Sequence, residues 1–197
     1  TLTNSTFHNN SAAGGGGGDF YRTAALVRAT FADNTATGNG GAVYNYGLAE
    51  ISNPGLSGVV FTGNRANNFG GALYNYGYGG ASRPQLSNVV ISASQARRGG
   101  AIYNNGGSNG VSSPLLTNVT LSFNRATEAG GALYSAATGG ASQITLTNSI
   151  LWGNTAAAGT QIYNTAALPA INYSLVQDGD DGIGGNSGLD AFRAGLG

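Results

Sequence analysis

Leu56-Ser-Gly-Val-Val-Phe61-Thr-Gly-Asn64, followed six residues on by Gly70-Gly-Ala-Leu-Tyr-Asn75, decides the fold because both blocks keep returning. The first begins at Leu2, Leu26, Leu56, Leu86, Leu116 and Leu146, so its last five copies lie 30 residues apart and the first step is 24. The second returns at 40–45, 70–75, 99–104 and 130–135, and in degenerate form at 159–164. Together they read L-x-N-x-x-[FIL]-x-x-N-x-A, a short spacer, then G-G-A-[VLI]-Y-N. A fixed period of this length means stacked supersecondary units. Helix is a poor reading, since a glycine pair in every cycle costs about 1 kcal/mol per residue. Within a block the alternation has period two, with Leu116, Asn118 and Thr120 set against Thr117, Val119 and Leu121, as in strands. The expected fold is therefore all-β: a parallel β-helix of about six rungs, roughly 30 residues each and ~4.8 Å apart, over residues 1–177.

Stacked rungs place equivalent residues above one another, and such columns are visible. Asn10, Asn34, Asn64, Asn124 and Asn154 form one, interrupted by Ser94. Asn4, Asn88, Asn118 and Asn148 form a second, and Asn45, Asn75, Asn104 and Asn164 a third. Asparagine tolerates left-handed backbone and bonds neighbouring amides, so these columns read as turn chemistry. The glycine pairs mark tight corners, with no following helix to make a phosphate-binding loop. The run Gly14 to Gly18 reads as a surface loop that shortens the first cycle.

Phe7-His-Asn-Asn10, Phe31-Ala-Asp-Asn34 and Phe61-Thr-Gly-Asn64, alternating with G-G-A-[VLI], resemble the repeats of polymorphic outer-membrane proteins. They are also similar to secreted bacterial right-handed parallel β-helix proteins of the pectin-lyase-like superfamily. Asn148-Ser-Ile-Leu-Trp-Gly-Asn154 with Tyr173-Ser-Leu-Val-Gln177 is similar to the closing turns of surface-anchored members. The resemblance implies a right-handed coil, an extracellular or bacterial cell-surface location and an adhesive or scaffold role, with polysaccharide cleavage in some members. The sequence departs from the pattern at Ile91-Ser-Ala-Ser94.

Composition narrows the function. The chain of 197 residues carries 35 glycines, eight arginines and no lysine, balanced by eight carboxylates to a formal charge of +0. That balance argues against a nucleic-acid or anionic-membrane partner. Absence of cysteine removes disulfides and thiolate chemistry, and no apolar run reaches membrane-spanning length. Within the repeats the carboxylates Asp19, Asp33, Glu50 and Glu128 never recur at the 30-residue step, and His8 is the single histidine. No catalytic constellation or metal site follows from them. Residues 178–197 read as a Gly/Asp-rich cap or tail. There, Asp178-Gly-Asp180-Asp181 with Asn186 and Asp190 departs from a calcium loop, because Gly182 and Leu189 occupy ligand positions. No cofactor is expected, calcium being the weaker reading.

Binding candidates remain. Tyr44, Tyr74, Tyr103 and Tyr134, with Tyr163 beyond, form a column one residue after the aliphatics Val43, Leu73, Ile102, Leu133 and Ile162. If the aliphatics face the core, the tyrosines face outward, and Tyr46 and Tyr76 extend that face. Stacked phenols suit sugar rings or a protein surface, and on this reading Tyr74→Ala leaves the melting point within a few degrees. Arg65 and Arg125 share one repeat position, with Gln95 between them and Arg97 and Arg98 just beyond, so an anionic chain such as a uronate could span both. The expected function is an extracellular structural or adhesive module that presents its tyrosines to a cell-surface protein or polysaccharide. Carbohydrate binding or cleavage is the alternative. An ice-binding solenoid, or a subunit with end-to-end contacts in a larger assembly, follows behind.

Overall fold

The computed structural model describes residues 1–185, and Asn186, Leu189 and Asp190 of the calcium-like segment lie outside the described residues. One complete turn consists of Gly55–Ser57, Val60–Thr62, Arg65–Ala66, Leu73–Tyr78 and Ala81–Ser82. We number the sheets these five strands belong to I to V. Strands inside each sheet pair in parallel with their equivalents in the turns before and after, for example Leu56 with Leu26 and Leu86. Sheets I, II and IV hold seven strands each, sheet III five and sheet V four. The chain is thus a parallel β-helix, with four turns that reach all five sheets and partial turns at both ends, slightly different from six uniform rungs.

Three aliphatic or aromatic columns fill the coil. Leu26, Leu56, Leu86, Leu116 and Leu146 point in from sheet I, and Val43, Leu73, Ile102, Leu133 and Ile162 from sheet IV, all essentially inaccessible. From sheet II, Phe7, Phe31 and Phe61 stack ring on ring at 4.5 and 5.0 Å before Ile91, Leu121 and Leu151 take over.

Corners are set by backbone sterics. The residue between sheets I and II takes positive φ in Asn4, Arg28, Gly58, Asn88, Asn118, Asn148 and Tyr173, which is where asparagine and glycine cost least. At the III–IV corner the first glycine of each pair is left-handed (Gly70 φ 65°), and a Cβ on the second, Gly71, would strike the Gly100 carbonyl of the next turn. Gly14 to Gly18 obey the same constraint and are no surface loop. Gly15 and Gly16 are buried, Gly15 and Gly16 donate to the carbonyls of Asn39 and Gly40, and Gly18 pairs with Val43. The first cycle is short because it has no strand in sheet V. After Tyr163, Ile183–Gly185 adds the last strand of sheet IV, preceded by the 3-10 turn Gly179–Gly182.

At the II–III corner the buried asparagines form a ladder. The backbone N–H and Nδ2 of Asn34 both donate to Asn64 Oδ1 (3.1 and 3.0 Å), and Nδ2 also donates to the Phe7 carbonyl (2.9 Å). Asn124 and Asn154 repeat this, and Gln161 Oε1 closes the column by accepting from Asn154 Nδ2 at 2.7 Å. Ser94 breaks it. Its hydroxyl turns back to the Ser92 carbonyl, so Asn64 Nδ2 donates only to the Phe31 carbonyl, while Asn64 Oδ1 still accepts from Asn34.

Ser94→Asn is expected to restore the ladder through Asn64, raising stability by about 1–2 kcal/mol at ~1 kcal/mol per net hydrogen bond. The melting temperature should rise by several degrees in a calorimetric scan, and a fall would show that the site cannot hold the larger side chain. Leu73→Asp should leave no cooperative transition at all.

Candidate functional site

Strand alternation in sheet IV sends Leu73 and Asn75 inward and Tyr74 and Tyr76 outward, and the register aligns Tyr44, Tyr74, Tyr103, Tyr134 and Tyr163. Their rings follow one another at 4.8, 5.5, 4.8 and 5.2 Å. Outward from the core does not mean exposed, however. Tyr74, Tyr103 and Tyr134 are only 4–6% accessible and form a second apolar cluster with Ala129 and Ala136. Their cover comes from Phe69, Arg97 and Arg98 at the ends of the sheet III rungs, with Tyr76 packed alongside. Phe69 stacks on Tyr103 at 4.6 Å and lies 6.3 Å from Tyr74. The Arg98 guanidinium sits 5.6 Å above the Tyr134 ring, and Arg97 is 5.4 Å from Phe69. Glu128 holds both arginines, at 3.1 Å from Arg97 and 2.7 Å from Arg98. Three expected contact residues, Tyr74, Tyr103 and Tyr134, are thereby buried supports, because a flat ring lying along a sheet buries most area by stacking on its neighbours.

The reachable part of the column is elsewhere. Tyr46 and Tyr76 are half-buried and stack face to face at 5.4 Å, 5° from parallel. Tyr21 meets Tyr46 edge-on at 5.8 Å, and Tyr78 meets Tyr76 at 5.7 Å. Tyr21 is 57% and Tyr78 41% exposed, which makes a four-ring ridge along one edge of sheet IV. It stops there because the next residues of the Tyr46–Tyr76 column are Asn105 and Ala136. The Tyr76 ring occupies the space a Cβ on Gly107 would need. Tyr21, Tyr78 and Phe69 were not among the sequence candidates. Tyr78 carried a signal, since it continues the period-two run of Tyr74 and Tyr76. Tyr21 follows Phe20, the register partner of Asn45, and so holds the repeat position of Tyr46, while Phe69 holds the position that is Arg98 in the next turn.

Arg65 and Arg125 do come together, in register on sheet III with Gln95 between them. Both are exposed, and with Asn67, Arg97 and Thr127 they line a groove of about 400 Å³. The isolated carboxylates are distributed differently. Asp33 lies 3.4 Å from His8 and Glu50 2.9 Å from Arg22, both pairs largely exposed. Asp180 and Asp181 lie in the 3-10 turn and Asp178 precedes it.

Burial raises the phenol pKa of Tyr44, Tyr74 and Tyr103, and neighbouring tyrosines raise it further. Tyr103 is pushed up to about 12, with nearby Arg98 opposing.

Against this geometry, the family model described as the Chlamydia polymorphic membrane protein repeat matches residues 28–46 and 58–76. Each matched stretch runs from the left-handed corner residue, Arg28 or Gly58, through the F-x-x-N motif and the glycine pair to Tyr46 or Tyr76. No curated protein matches the chain, and no solved structure does. The chain is a parallel β-helix repeat protein, two of whose turns are similar to polymorphic-membrane-protein repeats.

Burial of the tyrosine stack changes the expected cost of removing it. Tyr74→Ala should destabilise by about 3 kcal/mol, in the lower range of aromatic truncations in cores. Tyr46→Ala should cost less than about 1 kcal/mol, both read from denaturant unfolding. Alkali supplies a second check. Well below pH ~10 the phenols of Tyr44, Tyr74 and Tyr103 are protonated in both states. Between there and about 12 the unfolded chain loses protons that folded Tyr103 retains. Stability should therefore fall with rising pH across that window, and a flat profile would contradict the buried stack.

Proposed function

We propose that this chain is a surface-associated β-helix display module, extracellular or on a bacterial cell surface, that holds a partner against the Tyr21–Tyr46–Tyr76–Tyr78 ridge. Similarity to polymorphic-membrane-protein repeats supports the surface association. The observation that carries the partner role is the ridge itself, four neighbouring rings with centroids 5.4–5.8 Å apart on a rigid sheet. Exposed Leu48, the register partner of Tyr78, widens its apolar area. Aromatic rings of this kind give large contact area at little entropic cost and offer a hydroxyl for orientation. The partner class is a cell-surface protein or a polysaccharide.

The test is co-sedimentation of the purified chain with insoluble neutral and acidic polysaccharides, beside retention on immobilised extracellular proteins. Binding to one of these surfaces is expected. It should fall at least tenfold in Tyr46→Ala/Tyr76→Ala, the loss of two anchors at about 1 kcal/mol or more each. Binding that survives this double change, or no binding to either class, would overturn the ridge as the contact surface. Release of sugar ends in the same supernatants would reassign the chain as an enzyme.

A further inference from the structure

Four of the eight arginines, Arg65, Arg97, Arg98 and Arg125, lie on sheet III, whose strands carry a single carboxylate, Glu128. On a chain of zero formal charge this gathers half of the arginines onto one of five faces. Alternation buries Ala66, Ala96 and Ala126 and exposes an array of six: Arg65, Gln95 and Arg125 in register, with Asn67, Arg97 and Thr127 beside them, where the register shifts between Ala96 and Arg98. All six side chains are hydrogen-bond donors. Glu128 is spent on Arg97 and Arg98, and among the described residues no carboxylate lies within ion-pair distance of Arg65 or Arg125.

A groove with this lining selects an anion, and its other properties narrow the anion's carrier. It holds no free aromatic face. The Phe69 ring is occupied by Arg97 above it and Tyr103 beside it, so neither a sugar ring nor a nucleobase finds a stacking platform. Sheet III strands of the central turns are already paired on both sides, so a bound segment must be read by side chains across the rungs. Arg65 and Arg125 are two rungs apart, about 9.6 Å. A polyproline-II segment brings every third residue back to one face after about 9.3 Å, with its backbone carbonyls unpaired. Acidic residues at every third position would meet Arg65 and Arg125 in turn, while Gln95, Asn67 and Arg97 donate to the carbonyls between them. We infer that sheet III binds an acidic, extended peptide segment of a partner protein, laid along the coil axis. This inference is independent of the tyrosine ridge, which lies on a different sheet.

The test is fluorescence anisotropy of a labelled peptide of repeating Glu-Pro-Pro titrated with the purified chain. Saturable binding that weakens with added salt is expected, together with none for repeating Gln-Pro-Pro. Arg65→Gln and Arg125→Gln should each weaken binding roughly two- to fivefold, and the pair about tenfold. Both side chains are exposed, so the variants should fold, as circular dichroism will verify. Arg83→Gln, at an exposed arginine outside the array, and Tyr46→Ala/Tyr76→Ala should bind as the unaltered chain does. Equal loss in Arg83→Gln would mean unspecific charge attraction. Undiminished binding by the double arginine variant, or binding of a sulfated or carboxylated polysaccharide by this face without binding of the peptide, would also overturn the inference.

Discussion

Each turn of this coil bonds its backbone to the turn before and the turn after, and almost every other feature is a consequence. Parallel pairing repeats every ~4.8 Å, so whatever occupies one position must tolerate a near copy of itself directly above and below. Leucine and valine meet that demand by packing, and phenylalanine by face-to-face stacking, as from Phe7 through Phe31 to Phe61. Asparagine meets it by donating to the next asparagine while accepting from the previous one. A polar side chain can therefore be fully buried in the ladder at no net loss of hydrogen bonds. Charge is the one property that cannot be repeated in register without penalty. Arginine accordingly alternates with neutral Gln95 on sheet III, and Glu128 bridges Arg97 and Arg98 and offsets one of their two charges.

The same constraint explains why the molecule has two apolar layers. Inside lies the aliphatic core. Outside sheet IV lies the tyrosine stack, clasped by Phe69 and the arginines of the neighbouring rungs. That outer layer fixes sheet III against sheet IV across the glycine corner, which has no side chains of its own to pack. It also divides the surface into an aromatic ridge on one sheet and a basic groove on another, each on a rigid support and so at little entropic cost to a partner.

Most of the fold was legible because a repeat reports its own contacts: spacing of 30 residues names the residue above and the residue below. The glycine corners, the asparagine columns and the inward aliphatics follow from that spacing and from strand alternation. The short first cycle was misread, since five consecutive glycines resemble a loop until Gly15 and Gly16 are recognised as the counterparts of Gly40 and Gly41. The candidate site was only half legible. Alternation says which side of a strand Tyr74 occupies, but not whether another part of the chain covers that side. Phe69 and Arg98, which do so, hold the position just before the glycine pair, which other turns fill with Asn39, Ala129 and Ala158. Arg65, Gln95 and Arg125 were easier, because their proximity depends on register alone.

Register is thus the property on which both surfaces depend, and it can be measured directly. The chain has no cysteine, so nitroxide labels can be attached at Thr35→Cys and Thr155→Cys, two exposed positions of one sheet III column separated by four rungs. Pulsed electron resonance should give a narrow distance distribution centred near 19 Å, four spacings of about 4.8 Å with allowance for the label arms. A broad distribution, or one centred beyond ~30 Å, would contradict the stacked coil and with it every column on which the aromatic ridge and the basic groove are built.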